Sequence, residues 1–468
     1  NVAIGTAALE SLVGDGSTAN QLTYNTAVGY AAGNAMTTGV QNTLIGSLAG
    51  AGVTTGIKNT LIGAGSGDAL TEGHSNTAVG YESLSASVDG DGNTAIGYLA
   101  LRVYEDGDGN GNNTAVGNQS QVAATTGEFN TSLGSLSMGV GVVTGDNNVA
   151  VGYRAGEDLT TGTMNTMIGA YAAYTLTGGI RNTALGYGAL AKSVDGDKNT
   201  AIGYLALEDY EGADGEGHNT AVGNESQLNA STGEFNTSLG SLSMGNGLET
   251  GNYNTALGYQ SGRDLTSGTE NTFIGGHSGM LVSTGTHNVA VGMQTMQNTT
   301  VGLYNTALGA YAMFTNVDSS KNVAVGYNSL RMLEPASAVD SLNVAVGFEA
   351  GKAITTGVQN TVIGGLAGDA LTTGINNTLI GSQAGSGTTT GGTNTFIGVS
   401  AGAANEGGGD NIAIGKGANF GGASFSNAIV IGTDILQNLG SNTTEIGTTT
   451  TTNAIVHGLR KSVVATPT

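Results

Sequence analysis

The 468-residue chain has no cysteine and no tryptophan, only two prolines, and charged residues amounting to just 10%. Without cysteine there are no disulfides and no thiolate metal sites, and the compartment stays open. Scarce proline beside 82 glycines, with no glycine at every third position, excludes collagen and the usual flexible linker. No run of eighteen apolar residues occurs, so no segment is expected to insert in a membrane as a helix. Lys plus Arg total 13 against 35 Asp plus Glu, a formal net charge of -22. A surface of that sign repels phosphate backbones and anionic lipid, which argues against nucleic-acid partners.

What the chain has instead is repetition. Apolar residues reach 38%, too many for a disordered chain. "NTAVGYAAGNAMTTGVQ", residues 25–41, is followed directly by "NTLIGSLAGAGVTTGIK", residues 42–58. The pattern Asn-x-x-[Val/Ile/Leu]-Gly occurs 24 times between Asn1 and Asn411, and 17 of the 23 intervals are seventeen residues long. So strict a period implies a solenoid, in which each coil buries its apolar face only against its neighbours. A longer repeat lies on top: residues 76–148 match 182–254 at an offset of 106, with "SVDGDGNTAIGYLAL" returning as "SVDGDKNTAIGYLAL". A block of coils has been duplicated, insertions included. The chain opens on the first residue of a repeat, as expected of a processed or truncated piece.

Counting each coil from its Asn as position 1, position 2 is Thr in 18 copies, position 4 is always Val, Ile or Leu, and position 5 is always Gly. Short apolar stretches bounded by Gly and Asn read as strands, which predicts an all-β parallel β-roll or β-solenoid of about 24 coils. Seventeen residues accommodate two short strands and two turns. Gly at position 5 and near position 15 is expected to take backbone angles closed to other residues. Position 4 is expected to point into the coil, with position 12 as the opposite wall. Position 3, represented by Ala27, Leu44, Leu61, Ala78 and Ala95, is then on the outer face and apolar, which predicts a trimer interface along it. Stacked Asn side chains are expected to form a ladder of hydrogen bonds. At about 4.8 Å per coil the coils would make a rod roughly 115 Å long. The rod is expected to span residues 1–426, with irregular coils and a Thr-rich exit over 427–468.

"NTAVGY", "NVAVGY", "NTAIGY" and "NIAIG" resemble the repeats of trimeric autotransporter adhesin heads, which are left-handed parallel β-rolls with shorter coils. The longer form ending in Thr-Thr-Gly is similar to repeat regions of bacteriophage tail fibres. The resemblance covers roughly residues 1–447. It implies a homotrimeric structural or adhesion protein, extracellular or on a virion surface, that presents surfaces to a host glycan or protein. The tail fibre is the preferred reading and a bacterial surface adhesin head the alternative.

Specific chemistry is sought where the pattern relaxes. "EDGDGNGNN", residues 105–113, sets Asp106, Asp108 and Asn110 at the spacing that opens an EF-hand loop, so calcium is the one cofactor considered. Gly117 stands where the closing Glu belongs, and the second copy keeps only Asp214, Glu216 and His218. The alternative is an acidic loop that solvates the coil. Asp89, Asp91, Asp195 and Asp197 sit in Asp-Gly pairs, which ordinarily form turns. Tyrosines recur just after the corner glycine, among them Tyr30, Tyr81, Tyr98, Tyr187 and Tyr204, either as sugar-stacking platforms or, as favoured here, as covers for the coil corner. Tyr104 and Tyr210, on the insertions, are the better candidates for receptor contact. Five histidines form no ligand spacing, and short coils leave little groove, so no enzyme activity is expected and a polysaccharide depolymerase is the weaker alternative. An ice-binding Thr ladder is disfavoured because Val2, Val149, Val289, Val323, Val344 and Ile412 interrupt it.

Overall fold

The computed structural model describes residues 1–13, 23–105, 110–212, 217–334, 339–437 and 440–447. They fall in two compact units, Asn1–Glu270 and Asn271–Thr468. Each unit is a parallel β-solenoid, and the repeat of about 24 turns and seventeen residues is that of the sequence. No helix occurs among the described residues.

Each coil carries one strand rather than the two expected. It covers positions 2–4, as in Thr26–Val28, Thr43–Ile45 and Thr60–Ile62, and the remainder is turn and bend. Strands pair in parallel with equivalent positions in register, for example Thr43 with Thr60, Leu44 with Leu61 and Ile45 with Ile62. In the second unit the ladder continues beyond residue 426. Ile429–Ile431 pairs with Ile412–Ile414, and Thr444–Ile446 pairs with Ile429–Ile431. The Thr-rich stretch 448–468 lies outside the described residues.

The two faces of the strand are the reverse of the expectation. Position 3 is buried in every copy from Ala27 to Ala413, including Leu44, Leu61, Ala78 and Ala95, all at 0% exposure in the single chain. These side chains fill the coil and have no surface to offer a partner, so they are not a trimer interface. Position 4 points outward, half-buried or exposed, as with Ile45, Ile96, Leu133 and Leu185. Side chains alternate along a strand, so a one-residue error in assigning the inner face inverts every coil together.

The interior is narrow, and positions 3 and 9 share it by complementary volume. Ala78, Ala95, Ala184 and Ala201 at position 3 meet Leu84, Leu101, Leu190 and Leu207 at position 9, all buried. Where position 3 is large, position 9 is glycine or alanine: Leu61 with Gly67, Phe273 with Gly279, Phe396 with Gly402, and Met167 with Ala173. A Cβ on Gly279 would stand 2.5 Å from the Phe273 ring, and one on Gly402 would overlap Phe396. Position 12 supplies the opposite wall, as expected, through Met36, Val53, Leu70, Leu159, Ile354 and Leu371.

The Asn ladder is present. In coil after coil Nδ2 donates across the coil to the position 15 carbonyl while Oδ1 accepts the backbone N–H of the next Asn. Asn25 Nδ2 reaches Gly39 O at 2.7 Å, and Asn25 Oδ1 accepts from Asn42 N at 2.8 Å. The same pair of bonds recurs at Asn59, with Gly73 O at 2.8 Å and Asn76 N at 2.9 Å. One buried amide thus satisfies two backbone groups that have no strand partner.

The two conserved-looking glycines of a coil serve different ends. At position 5, φ lies between +126° and +147°, a region closed to side chains, and a Cβ on Gly63 would overlap the Gly80 carbonyl. Gly39, at position 15, has no such angle; a Cβ there would instead stand 2.7 Å from Gly56 O of the next coil. Position 15 is therefore glycine because of close backbone approach, not because of its dihedrals.

Candidate functional site

With the interior filled by positions 1, 3, 8, 9 and 12, function is left to the outer surface. The sequence-predicted receptor residues are not there. Tyr104 and Tyr210 are both fully buried. Each stands eleven residues after its coil's Asn, Asn93 and Asn199, and so occupies position 12. The ring of Tyr104 lies against Gly90 and that of Tyr210 against Gly196, where a Cβ would come within 2.9 and 2.6 Å. Tyr104 Oη donates to the Asn110 carbonyl at 2.6 Å, which ties the end of the insertion back to the core. Counting from the Asn through the insertion, rather than treating it as loop from its first residue, identifies both as core.

Of the calcium candidates, Asp106 and Asp108 lie outside the described residues, as do Asp214 and Glu216; Asn110 is exposed. Among the described residues no group of three or more His, Asp or Glu side chains is placed to hold a metal ion. Asp91 and Asp197 behave as turn residues: Asp91 Oδ1 accepts the His74 N–H at 2.5 Å, and Asp197 Oδ1 that of Ile180 at 2.8 Å.

The outer face of the strands carries an apolar stripe. Position 4 supplies a Val, Ile or Leu in every copy, and position 6, two residues on, adds exposed Tyr81, Tyr98, Tyr187, Tyr204, Tyr327 and Phe348. Rings on successive coils stack: Tyr81 on Tyr98 at 5.7 Å and 14°, Tyr187 on Tyr204 at 5.6 Å and 16°, Tyr327 on Phe348 at 5.6 Å and 13°. A second aromatic column precedes the Asn, with His218, Phe235 and Tyr253 stacked at 4.9 and 5.0 Å. The tyrosines thus cover the coil corner and pack on the next coil, while remaining about half exposed.

Charge is sparse, and some of it is paired at the surface, as in Arg102 with Glu82 at 3.6 Å and Lys321 with Asp340 at 2.6 Å. One carboxyl departs from this. Glu249 is fully buried in the coil, where neither carboxyl oxygen has a hydrogen-bond partner, and burial pushes its pKa up to about 8. Neither a protein-family model nor a curated protein matches the chain. Among the described residues no helix is long and apolar enough to cross a membrane.

Proposed function

We propose that the chain is a structural fibre protein of the tail-fibre kind, outside the cell or on a virion, whose stacked coils space and present surfaces that contact a host glycan or protein. The observation that carries the proposal is the division of labour within every coil. Positions 1, 3, 5 and 15 are spent on stacking, which leaves the outward side chains for presentation. The reading of a bacterial surface adhesin head rests on the same division and on the shorter-coil resemblance.

The apolar position 4 stripe gives the proposal its quaternary form. Half-buried and exposed Val, Ile and Leu at position 4 of successive coils make, within each unit, an apolar stripe of the kind soluble monomers avoid. Copies of the same chain are the partner that would match such a period coil for coil, and the resemblance puts their number at three. Sedimentation equilibrium of the chain is expected to give a trimer, and Ile45→Lys with Leu185→Lys is expected to dissociate it without loss of β-structure. A monodisperse wild-type monomer, or a trimer indifferent to those substitutions, would sink this face as the interface.

A further inference from the structure

The sequence "GAYAAYT", residues 169–175, has a counterpart in "GAYAMFT", residues 309–315. Each places an aromatic residue at positions 7 and 10 of one coil beneath a tyrosine at position 6 of the next. In the first unit Tyr171 meets Tyr174 at 5.6 Å and 72°, and Tyr187 at 5.7 Å and 68°. In the second unit Tyr311 meets Phe314 at 5.8 Å and 57°, and Tyr327 at 5.9 Å and 81°. The same half-open aromatic corner has been built twice.

The corners differ in what fills them. In the second, position 10 of the upper coil is Arg331, whose guanidinium carbon lies 5.8 Å from the centroids of both Tyr311 and Phe314. A cation over ring faces at that distance is held by the ring quadrupoles. In the first corner the same position is Ala191, and position 7 of that coil, Asn328 in the second corner, is Gly188. Both outward side chains are cut back, and a cavity of about 310 Å³ opens, lined by Tyr171, Tyr174, Tyr187, Ala191, Lys192 and Glu208. The space that Arg331 takes in one corner is open in the other.

We infer that the cavity at Tyr171, Tyr174 and Tyr187 is a binding site for a soft organic cation, a quaternary ammonium or guanidinium group brought by a ligand. Three tyrosine rings line the seat, and the Glu208 carboxylate supplies the opposite charge on its wall. Lys192 also lines the cavity, but its Nζ bonds Asp209 Oδ1 at 2.5 Å and lies 3.4 Å from Glu208, so it keeps a partner when an incoming cation competes for Glu208. Arg154 sits over the Tyr153 ring at 5.3 Å, pairs with Glu157 at 3.2 Å, and is not among the cavity's lining residues. The net charge of -22 favours approach of a cation. An anionic sugar would meet a wall carboxylate and no free positive group. This site does not depend on the fibre reading.

Choline and its neutral isostere dimethylbutanol, titrated into the full chain with ring-labelled tyrosine, test the proposal by NMR. Choline is expected to shift a small set of tyrosine ring signals, with the isostere at least about tenfold weaker because it lacks the charge the rings attract. Ala191→Arg, which copies Arg331, is expected to remove the response. Tyr187→Ala, at an exposed ring, gives a second reading and is expected to remove it too. No response to choline, equal response to the isostere, or a response that persists in either variant overturns the proposal.

Discussion

The two copies of the duplicated block, 76–148 and 182–254, separate what a coil needs from what it can vary. Their interiors agree almost side chain for side chain. Leu84 and Leu190, Leu101 and Leu207, and Tyr104 and Tyr210 are buried pairs offset by 106 residues. A polar cluster inside the coil is repeated as well: Gln121 Nε2 donates to Ser132 Oγ at 2.9 Å in one copy, and Gln227 Nε2 to Ser238 Oγ at 3.1 Å in the other. In each, a second serine, Ser120 or Ser226, is hydrogen-bonded to that same hydroxyl. Outside, the copies have parted. Glu82 and Arg102 form an ion pair in the first, whereas Gly188 and Glu208 stand at the same places in the second and border the aromatic cavity. The lesson is that stacking constrains the inner residues of both copies alike, and the outer residues are where one copy can acquire a property the other lacks.

The largest expected effect treats the copies as equal. Gly97 and Gly203 hold φ of +141° and +138°, and a Cβ on either would overlap the corner carbonyl of the next coil, Gly117 or Gly223. Gly97→Ala and Gly203→Ala each combine a forbidden backbone angle with a backbone clash. Each is expected to cost more than about 4 kcal/mol in urea unfolding. Hydrogen exchange should show the damage centred on the altered coil and its two neighbours. If one copy tolerated the change, the claim of equivalent interiors would fail.

The next prediction uses the interior position at which the copies differ most in polarity. Val143 is buried in the first copy and Glu249 occupies its place in the second, buried and unpaired. The folded state holds the Glu249 proton up to about pH 8, while the ordinary value for a Glu in the unfolded chain is 4.5. Folding stability is therefore greatest below pH 4.5, falls as pH rises from there to about 8, and is flat above it as far as this group is concerned. Glu249→Val should remove that slope, so that its gain in stability is about 4 kcal/mol larger at pH 8 than at pH 4. Thermal melts at the two pH values measure the difference. A gain independent of pH would mean that the carboxyl is not buried as described.

A smaller effect is expected along the Asn ladder. Asn130 Nδ2 donates to Gly145 O at 2.9 Å and its Oδ1 accepts from Asn148 N at 2.9 Å; Asn236 makes the same bonds to Gly251 O and Asn254 N, both at 2.8 Å. Asn130→Ala or Asn236→Ala leaves one buried carbonyl and one buried N–H without a partner. The expected loss is about 2 kcal/mol in either copy, read from urea midpoints.

These comparisons also explain how far the sequence could be read. The period, the ladder and the position 5 corner were legible because each repeats at fixed spacing and each has one physical cause. The inner face of the strand was not, because Thr-Ala-Val places its larger apolar residue outside. Ala fits inside at position 3 when Leu at position 9 fills the space beside it, as Ala78 and Leu84 do, and hydrophobicity alone ranks Val79 above Ala78. The position 15 glycines were recognised as turn residues for the wrong reason, since a close approach between coils leaves no mark on a single coil's sequence. The aromatic cavity was hidden for a related cause: it consists of side chains removed, Gly188 and Ala191, and becomes visible only beside Asn328 and Arg331.

The smallest expected effect tests the claim that the outside is free to change. The Arg102–Glu82 pair spans 3.6 Å between half-exposed side chains, and the second copy folds with Glu208 and Gly188 in their place. An exposed pair of that length gains little over hydration and is screened by salt. Arg102→Ala should therefore change stability by less than about 0.5 kcal/mol, and adding salt should shrink even that. Glu82→Gly with Arg102→Glu, which rewrites the outer surface of the first copy towards the second, should likewise leave the unfolding midpoint nearly where it was. A loss comparable to that of the Asn substitutions would show that the outer surface carries part of the stacking energy. The difference between the copies would then have been constrained by stability rather than left open to binding.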